Sequence, residues 1–294
     1  MISSARCRSR LNNTAPMAQP DFQVTPTAGS LGAEITRIDL SMDLSDVTIA
    51  ALRAALLEHL VLIFREQDIS PQQHLDFTRR FGDLVDYPMV RGLADYPDIT
   101  PVVKLEHERH NFGGLWHCDT TYLDTPPMGA ILVARELPPR GGDTLFANMY
   151  QAFETLSPGL QAMLEGLTAV NTSAKAAVSR SREDRIQEQG ETLSEPLIAE
   201  HPVIRTHPET WRKLLYVNYG HTLRFKDMTE EESAPLLDYL FSHQTRPEFT
   251  CRCQWRPGTV VFYDNRATQH NPINDYHGYK RVLHRVTLAG DRPV

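Results

Sequence analysis

The apolar residues of this chain fall into many short runs, and that feature constrains the fold more than any other. Val61-Leu62-Ile63-Phe64 and Val260-Val261-Phe262-Tyr263 are of strand length and are bounded by polar and turn residues. Further strand-like pieces lie at 102–105, 129–135, 144–147, 202–206, 213–218, 249–255 and 281–289. Residues 22–40 alternate apolar and polar around Gly29 and Gly32, as a hairpin does. Helical spacing is confined to a few segments. Ile49, Leu52, Leu56 and Leu60 predict a helix over 44–60 with Ser45 as N-cap, and Ser70-Pro71 opens a second that runs to about Phe81 and stops at Gly82. A third follows Asn148 over 149–165, and Thr229 caps a fourth over 229–243. Many short strands and few helices, without regular alternation, predict a mainly β protein with flanking helices, either an antiparallel barrel or a jelly roll. No GxGxxG or GxxxxGK[ST] occurs, so a nucleotide-binding doubly wound sheet loses its main signal.

Charge and cysteine usage narrow the function classes. Lys and Arg number 30 against 37 Asp and Glu, a net charge of −7 over 294 residues. A broad nucleic-acid face is therefore not expected, although a local basic pocket is compatible with that balance. No run of 18 apolar residues is present, so no membrane span is expected. Cys7, Cys118, Cys251 and Cys253 form neither a CxxC pair nor a zinc-finger spacing, which predicts a reduced, cytoplasmic protein. Residues 1–20 hold three arginines and no acid. They read as a disordered leader, with an organelle transit peptide or a start at Met17 as alternatives. The rest, 21–294, reads as a single domain, in which the polar stretch 171–200 is expected to be a lid or insertion.

The chemistry concentrates in Trp116-His117-Cys118-Asp119. On an extended segment His117 and Asp119 face the same side and offer one divalent metal an imidazole and a carboxylate. His270, just beyond the strand 260–263, is the candidate third ligand. Two histidines and one carboxylate make the facial triad of non-haem Fe(II) oxygenases, which leaves positions open for substrate and O2. Cys118, between the two ligands, should point away. An HxD pair alone is weak evidence, but Arg281 and Arg285 follow. With Leu283 they share one face of a strand, and two guanidiniums inside a barrel are costly without anions. A metal-chelating dicarboxylate would supply such an anion, because arginine pairs with carboxylates bidentately.

The motifs LWHCDTTY (115–122), GGDTLFANM (141–149), HPVIRTHPETWRKLLYVN (201–218), FYDNRATQH (262–270) and YKRVLHRVTLAGD (279–291) resemble those of the taurine dioxygenase-like (TauD/TfdA) family of Fe(II)/2-oxoglutarate-dependent dioxygenases. The resemblance extends from about Phe22 to Pro293 and implies a double-stranded β-helix (jelly roll). It implies His117, Asp119 and His270 as iron ligands, and Thr144 and Arg281 as partners of the distal carboxylate of 2-oxoglutarate. Arg285 would stand near the substrate anion and the metal-bound end of the cosubstrate. The cofactors implied are Fe(II), 2-oxoglutarate as cosubstrate, and O2. The reaction implied yields succinate, CO2 and a hydroxylated substrate, which collapses with release of a heteroatom group when the hydroxylated carbon bears one. Gly141-Gly142 permits the tight turn that lets Thr144 start a strand facing inward.

The residues expected at the prime substrate depart from the taurine enzyme. Tyr87 stands where that enzyme has its sulfonate-binding histidine, Gly113 replaces an asparagine, and His221 replaces an aromatic residue before a threonine. Taurine is thus not the expected substrate. Arg285 favours an anionic head group, as in a sulfonate, a sulfate ester or an aryloxy or alkyl carboxylate. Tyr87, Tyr122 and His221 would line a pocket for a larger or aromatic tail. His107, His110 and His277 read as surface residues, and the family resemblance suggests a homo-oligomer, dimer or tetramer. Two other readings use the same triad: a hydrolase with another divalent metal, which leaves Thr144, Arg281 and Arg285 unexplained, and a non-catalytic jelly-roll binding protein.

Overall fold

The computed structural model describes residues 22–88, 90–111, 113–175 and 195–294. In chain order the elements are β1 (Gln23–Pro26), β2 (Ala33–Thr36), α1 (Asp46–His59), β3 (Val61–Phe64), α2 (Pro71–Arg79), β4 (Thr100–Lys104), β5 (Gly129–Glu136) and β6 (Thr144–Asn148). Then come α3 (Met149–Glu154), α4 (Pro158–Leu164), β7 (Thr168–Thr172), β8 (Ile198–Pro202), β9 (Ile204–Thr206), β10 (Lys213–Leu215) and β11 (Thr222–Phe225). The last part holds α5 (Glu230–Gln244), β12 (Thr250–Cys253), β13 (Val260–Asp264), β14 (Thr268–Pro272) and β15 (Arg281–Leu288). No helix among the described residues is long and apolar enough to cross a membrane.

A seven-stranded sheet, ordered β1-β2-β3-β13-β5-β15-β4, faces a three-stranded sheet ordered β12-β6-β14. The contact between them is direct, with the Phe146 ring of β6 5.5 Å from the Tyr263 ring of β13. The large sheet is covered on both faces, and for this reason its central strands read as unbroken apolar runs. Val261 and Tyr263 of β13 pack toward the small sheet, while Val260 and Phe262 pack beneath α1 and α2. Phe262 meets the Phe81 ring edge-on at 4.8 Å just past α2. β3 divides in the same way, Val61 and Ile63 inward, Leu62 and Phe64 outward.

Local signals account for the helix starts. Ser45 and Thr229 cap α1 and α5, and Ser70 caps α2 in a capping box with Gln73. The helix expected over 149–165 is two helices. Proline lacks the N–H that would continue the first, so α3 ends at Glu154 and Ser157-Pro158 starts α4 afresh. Four strands, β7, β8, β11 and β14, were not expected; β14 is TQHNP, and it holds His270 just beyond β13. The ends of the segment expected as a lid are regular structure, since 171–172 close β7 and 198–200 open β8. Its middle, 176–194, and the expected leader, 1–20, lie outside the described residues.

The turn from β13 to β14 is fixed by a buried charge network. Arg266 donates from Nε and Nη2 to the two carboxylate oxygens of Asp264 at 2.9 and 2.6 Å, and from Nη1 to Glu209 at 2.7 Å. His207 Nε2 donates to Asp264 Oδ2 at 3.1 Å, and Thr268 Oγ1 donates to the Asp264 carbonyl at 2.7 Å. Burial alone would raise the Asp264 pKa, but the Arg266 charge, the Arg266 hydrogen bonds and the His207 bond hold it well below the usual carboxylate range. A depressed folded-state pKa contributes stability that is present above the unfolded value and lost as pH falls through the folded one. Asp264→Asn should therefore cost about 3–5 kcal/mol at neutral pH, the typical loss when a buried pair loses one partner. In urea titrations the gap to wild type should narrow as pH falls below about 4, near the unperturbed aspartate pKa.

Candidate active site

His117 lies in the segment between β4 and β5, and His270 in β14. The two exchange backbone hydrogen bonds, His117 N to His270 O at 3.0 Å and His270 N to His117 O at 2.8 Å. This isolated antiparallel bridge brings their rings together, with centroids 4.1 Å apart. His117 Nδ1 lies 2.8 Å from the Leu115 carbonyl, which can only accept, so Nδ1 carries the proton and Nε2 keeps its lone pair. A side chain at Gly113 would meet this ring, and one at Gly220 would meet His117 Cβ at 2.7 Å. A Cβ at Gly113 would stand 2.8 Å from His117 Cε1 where φ is already +69°, which explains the absence of a side chain there.

Asp119 is held at both ends. The Asn265 side chain accepts from Asp119 N at 2.8 Å and donates to the Asp119 carbonyl at 3.3 Å. At the carboxylate, the Tyr263 hydroxyl donates to Oδ2 at 2.5 Å and Arg285 Nη1 donates to Oδ1 at 3.1 Å. Oδ1 is 3.8 Å from His117 Nε2. One ligand atom from each of His117, Asp119 and His270 falls within 4.8 Å of the others, and all three residues are buried. Cys118 turns the other way, toward Asn265 O at 3.0 Å.

The donor set fits a divalent metal. Burial pushes the His270 pKa down to about 3, which leaves a neutral imidazole able to donate a lone pair. Burial would raise Asp119, but the charge of Arg285 and the Tyr263 hydrogen bond hold it in the carboxylate form. His270 Nδ1 has no hydrogen-bond partner among the described residues.

A pocket runs from the two histidines to Thr144, Arg281 and Arg285. Gly141 and Gly142 both have positive φ, as the turn before β6 requires, and Thr144 Oγ1 faces the pocket. It accepts from Trp255 Nε1 at 3.0 Å, with Arg281 Nη2 at 3.5 Å. Arg281 and Arg285 are each only 4% exposed. Arg281 Nε and Arg285 Nε and Nη2 have no hydrogen-bond partner among the described residues.

The expected substrate residues Tyr87, Tyr122 and His221 do not line this pocket but neighbour residues that do, directly or through one another. Arg285 Cζ lies 4.0 Å from the centre of the Tyr87 ring. His221 stands edge-on to His117 at 6.2 Å, and Tyr122 edge-on to His221 at 4.9 Å. His107, His110 and His277 are exposed. Sequence reading did not single out Tyr263, Asn265 or Trp255. Tyr263 and Asn265 lie inside FYDNRATQH, and the unusual polarity of a fully buried turn was the available signal.

A sequence profile of the "Taurine catabolism dioxygenase TauD, TfdA family" matches residues 23–287. The chain belongs to this family. Among curated TauD/TfdA-type relatives, an alkylsulfatase of Acinetobacter baylyi is 37% identical over 92% of this chain and 86% of its own. An alpha-ketoglutarate-dependent sulfate ester dioxygenase of Pseudomonas putida is 35% identical over 96% of this chain and 93% of its own. The crystal structure of a taurine dioxygenase from Burkholderia xenovorans superposes with a TM-score of 0.79 at 36% identity, covering 94% of this chain and 93% of that one. The two facing sheets are thus the double-stranded β-helix of TauD/TfdA enzymes, as the motifs implied.

Hydrogen bonds to a ligating carboxylate fix its orientation, and losing one typically costs 10–100-fold in metal affinity. Tyr263→Phe removes the donor at Asp119 Oδ2 and little else. It should weaken Mn(II) binding by about tenfold or more, read by EPR titration of free Mn(II), with an unaltered circular dichroism spectrum.

Proposed function

We propose that the protein is an Fe(II)- and 2-oxoglutarate-dependent dioxygenase that hydroxylates a small anionic organic substrate, with alkyl sulfate esters as the preferred class. The observation that carries this reading is the coexistence, at one buried site, of a His/Asp/His triad within 4.8 Å and two interior arginines with donors still unused. Neither a hydrolase nor a binding protein without turnover needs both.

In this reading His117, Asp119 and His270 hold ferrous iron, and Thr144 and Arg281 hold the far carboxylate of 2-oxoglutarate. Bound iron supplies the activation of O2, at the expense of 2-oxoglutarate, which leaves as succinate and CO2. The protein's own work is positional. Arg285, poised beside Asp119, offers its unused Nε and Nη2 to the anion of the substrate. Tyr87 stacks on the same guanidinium and limits where that anion can sit. His221 and Tyr122 stand on the His117 side, where they border the tail. The buried walls exclude water, which strengthens each of these contacts.

Sulfate esters are preferred because relatives sharing 37% and 35% of their residues carry the names alkylsulfatase and sulfate ester dioxygenase. A sulfonate dioxygenase of Saccharomyces cerevisiae and an (S)-phenoxypropionate dioxygenase of Sphingobium herbicidovorans, 31% and 30% identical, mark the alternatives. Hydroxylation of the carbon that bears the ester oxygen gives a hydroxysulfate. Loss of its hydroxyl proton and cleavage of the C–O bond to sulfate give an aldehyde and inorganic sulfate. Assembly as a homo-oligomer belongs to the same reading and is measured by light scattering.

The test is a set of alkyl sulfates, alkanesulfonates and aryloxyalkanoates assayed for succinate and released product together. With an alkyl sulfate, succinate and sulfate should appear in equal amounts, and His117→Ala and Asp119→Ala should abolish both. Absence of succinate with every compound would refute the reading. Arg285→Ala should depress substrate-coupled turnover more than substrate-free decarboxylation; equal loss of both would place Arg285 on the cosubstrate alone.

A further inference from the structure

Lys104 ends β4, the edge strand of the seven-stranded sheet, directly opposite Arg281 of β15. Opposed residues of an antiparallel pair project from the same face. The next pairs on that face are Val102 with Leu283 and Thr100 with Arg285, so Lys104 extends the row that carries both interior arginines. The residue is 2% exposed, and its Nζ has no hydrogen-bond partner among the described residues. Its ammonium lies over the Tyr276 ring, 4.5 Å from the centroid, and Arg281 Cζ lies 6.0 Å from the same ring. The two cations thus converge on one aromatic side chain. Burial lowers the Lys104 pKa more than the charge of Glu108 raises it, and Glu108 already accepts from Leu105 N at 2.5 Å.

Like charges directly across a strand pair destabilise it, and a buried ammonium is costly without an acceptor. An anion shared between the two would turn both costs into charge-assisted hydrogen bonds. Thr144 and Arg281 line the pocket, and Arg281 Nε is unused. We propose that Lys104 is a second cationic anchor for the far carboxylate of 2-oxoglutarate, acting beside Arg281 from the neighbouring strand. This rests on the dioxygenase reading above, and the test separates the two.

The experiment is calorimetric titration of the full-length, Zn(II)-loaded protein, which binds without turnover. The ligands are 2-oxoglutarate and 2-oxovalerate, a keto acid that lacks the second carboxylate. Lys104→Met should raise the 2-oxoglutarate Kd by about tenfold or more, the scale of one hydrogen bond to a charged group. The same variant should leave 2-oxovalerate binding unchanged, and Lys104→Arg should retain most of the 2-oxoglutarate affinity. Arg281→Met is the control. If it weakens 2-oxoglutarate while Lys104→Met does not, the Lys104 assignment is overturned and the dioxygenase reading stands. If neither variant weakens it, the cosubstrate is elsewhere and the reading itself falls. Equal weakening of both keto acids by Lys104→Met and Lys104→Arg is general disturbance, and overturns the assignment.

Discussion

The site depends on one pair of backbone hydrogen bonds, between His117 and His270. The two histidines lie far apart in the chain, and no regular element contains both. Their antiparallel bridge fixes the separation of the rings without using either imidazole, so both side chains stay free for another purpose. The bridge is itself held from three directions. β14 pairs with β6, placing His270 opposite Phe146. The Asp264–Arg266 network locks the turn that feeds β14. Asn265, inside that turn, grips the backbone of Asp119. One turn therefore positions all three triad members, two through hydrogen bonds and one through chain continuity.

The electrostatics of the pocket are unbalanced in one direction. Asp119 is the carboxylate in contact with Arg285, whereas Arg281 lies beside the Thr144 hydroxyl and the Trp255 and Tyr276 rings. Desolvation of an ion costs several kcal/mol even after relaxation, and geometry recovers this only when partners are present. A chain that buries positive charge beyond its local acceptors is therefore arranged for anions to complete it. In the proposed reading, a dicarboxylate at the Arg281 end and an anionic head group at the Arg285 end would supply the missing charge. The hydroxyl of Thr144, held by the Trp255 indole, would add a directional contact to the charge of Arg281.

Much of this was legible in the sequence, for identifiable reasons. Caps at Ser45, Ser70 and Thr229 are local chemistry, so α1, α2 and α5 could be placed from a few residues. β3 and β13 are buried on both faces and announce themselves as apolar runs. His117 with Asp119, and Arg281 with Arg285, were visible because a two-residue period is readable directly, while His270 was a candidate by its place just beyond the strand 260–263. What was hidden depends on tertiary context. β14 is polar because its His270 faces His117 and Asp119 and its Gln269 bonds the Val217 carbonyl, so no alternation marks it as a strand. Tyr263 read as the end of a core run, and only the fold brings its hydroxyl to Asp119. Lys104 ends a strand that could equally have faced solvent, and its burial follows from pairing with β15.

The division between strands and loops also separates what is fixed from what can vary. Thr144, His270, Arg281 and Arg285 all sit on strands locked into hydrogen-bonded ladders. A shift of any one would disturb its neighbours in the sheet. Tyr87, Tyr122 and His221 sit in turns and connections, where a change of side chain or length leaves the ladders intact. In the proposed reading, the reaction would be built into the framework and the recognition of the tail into parts that can change independently of it. Gly113 illustrates the coupling that remains. A side chain there would collide with the His117 ring, so this connection can recruit a polar residue next to the metal only by moving its own backbone first.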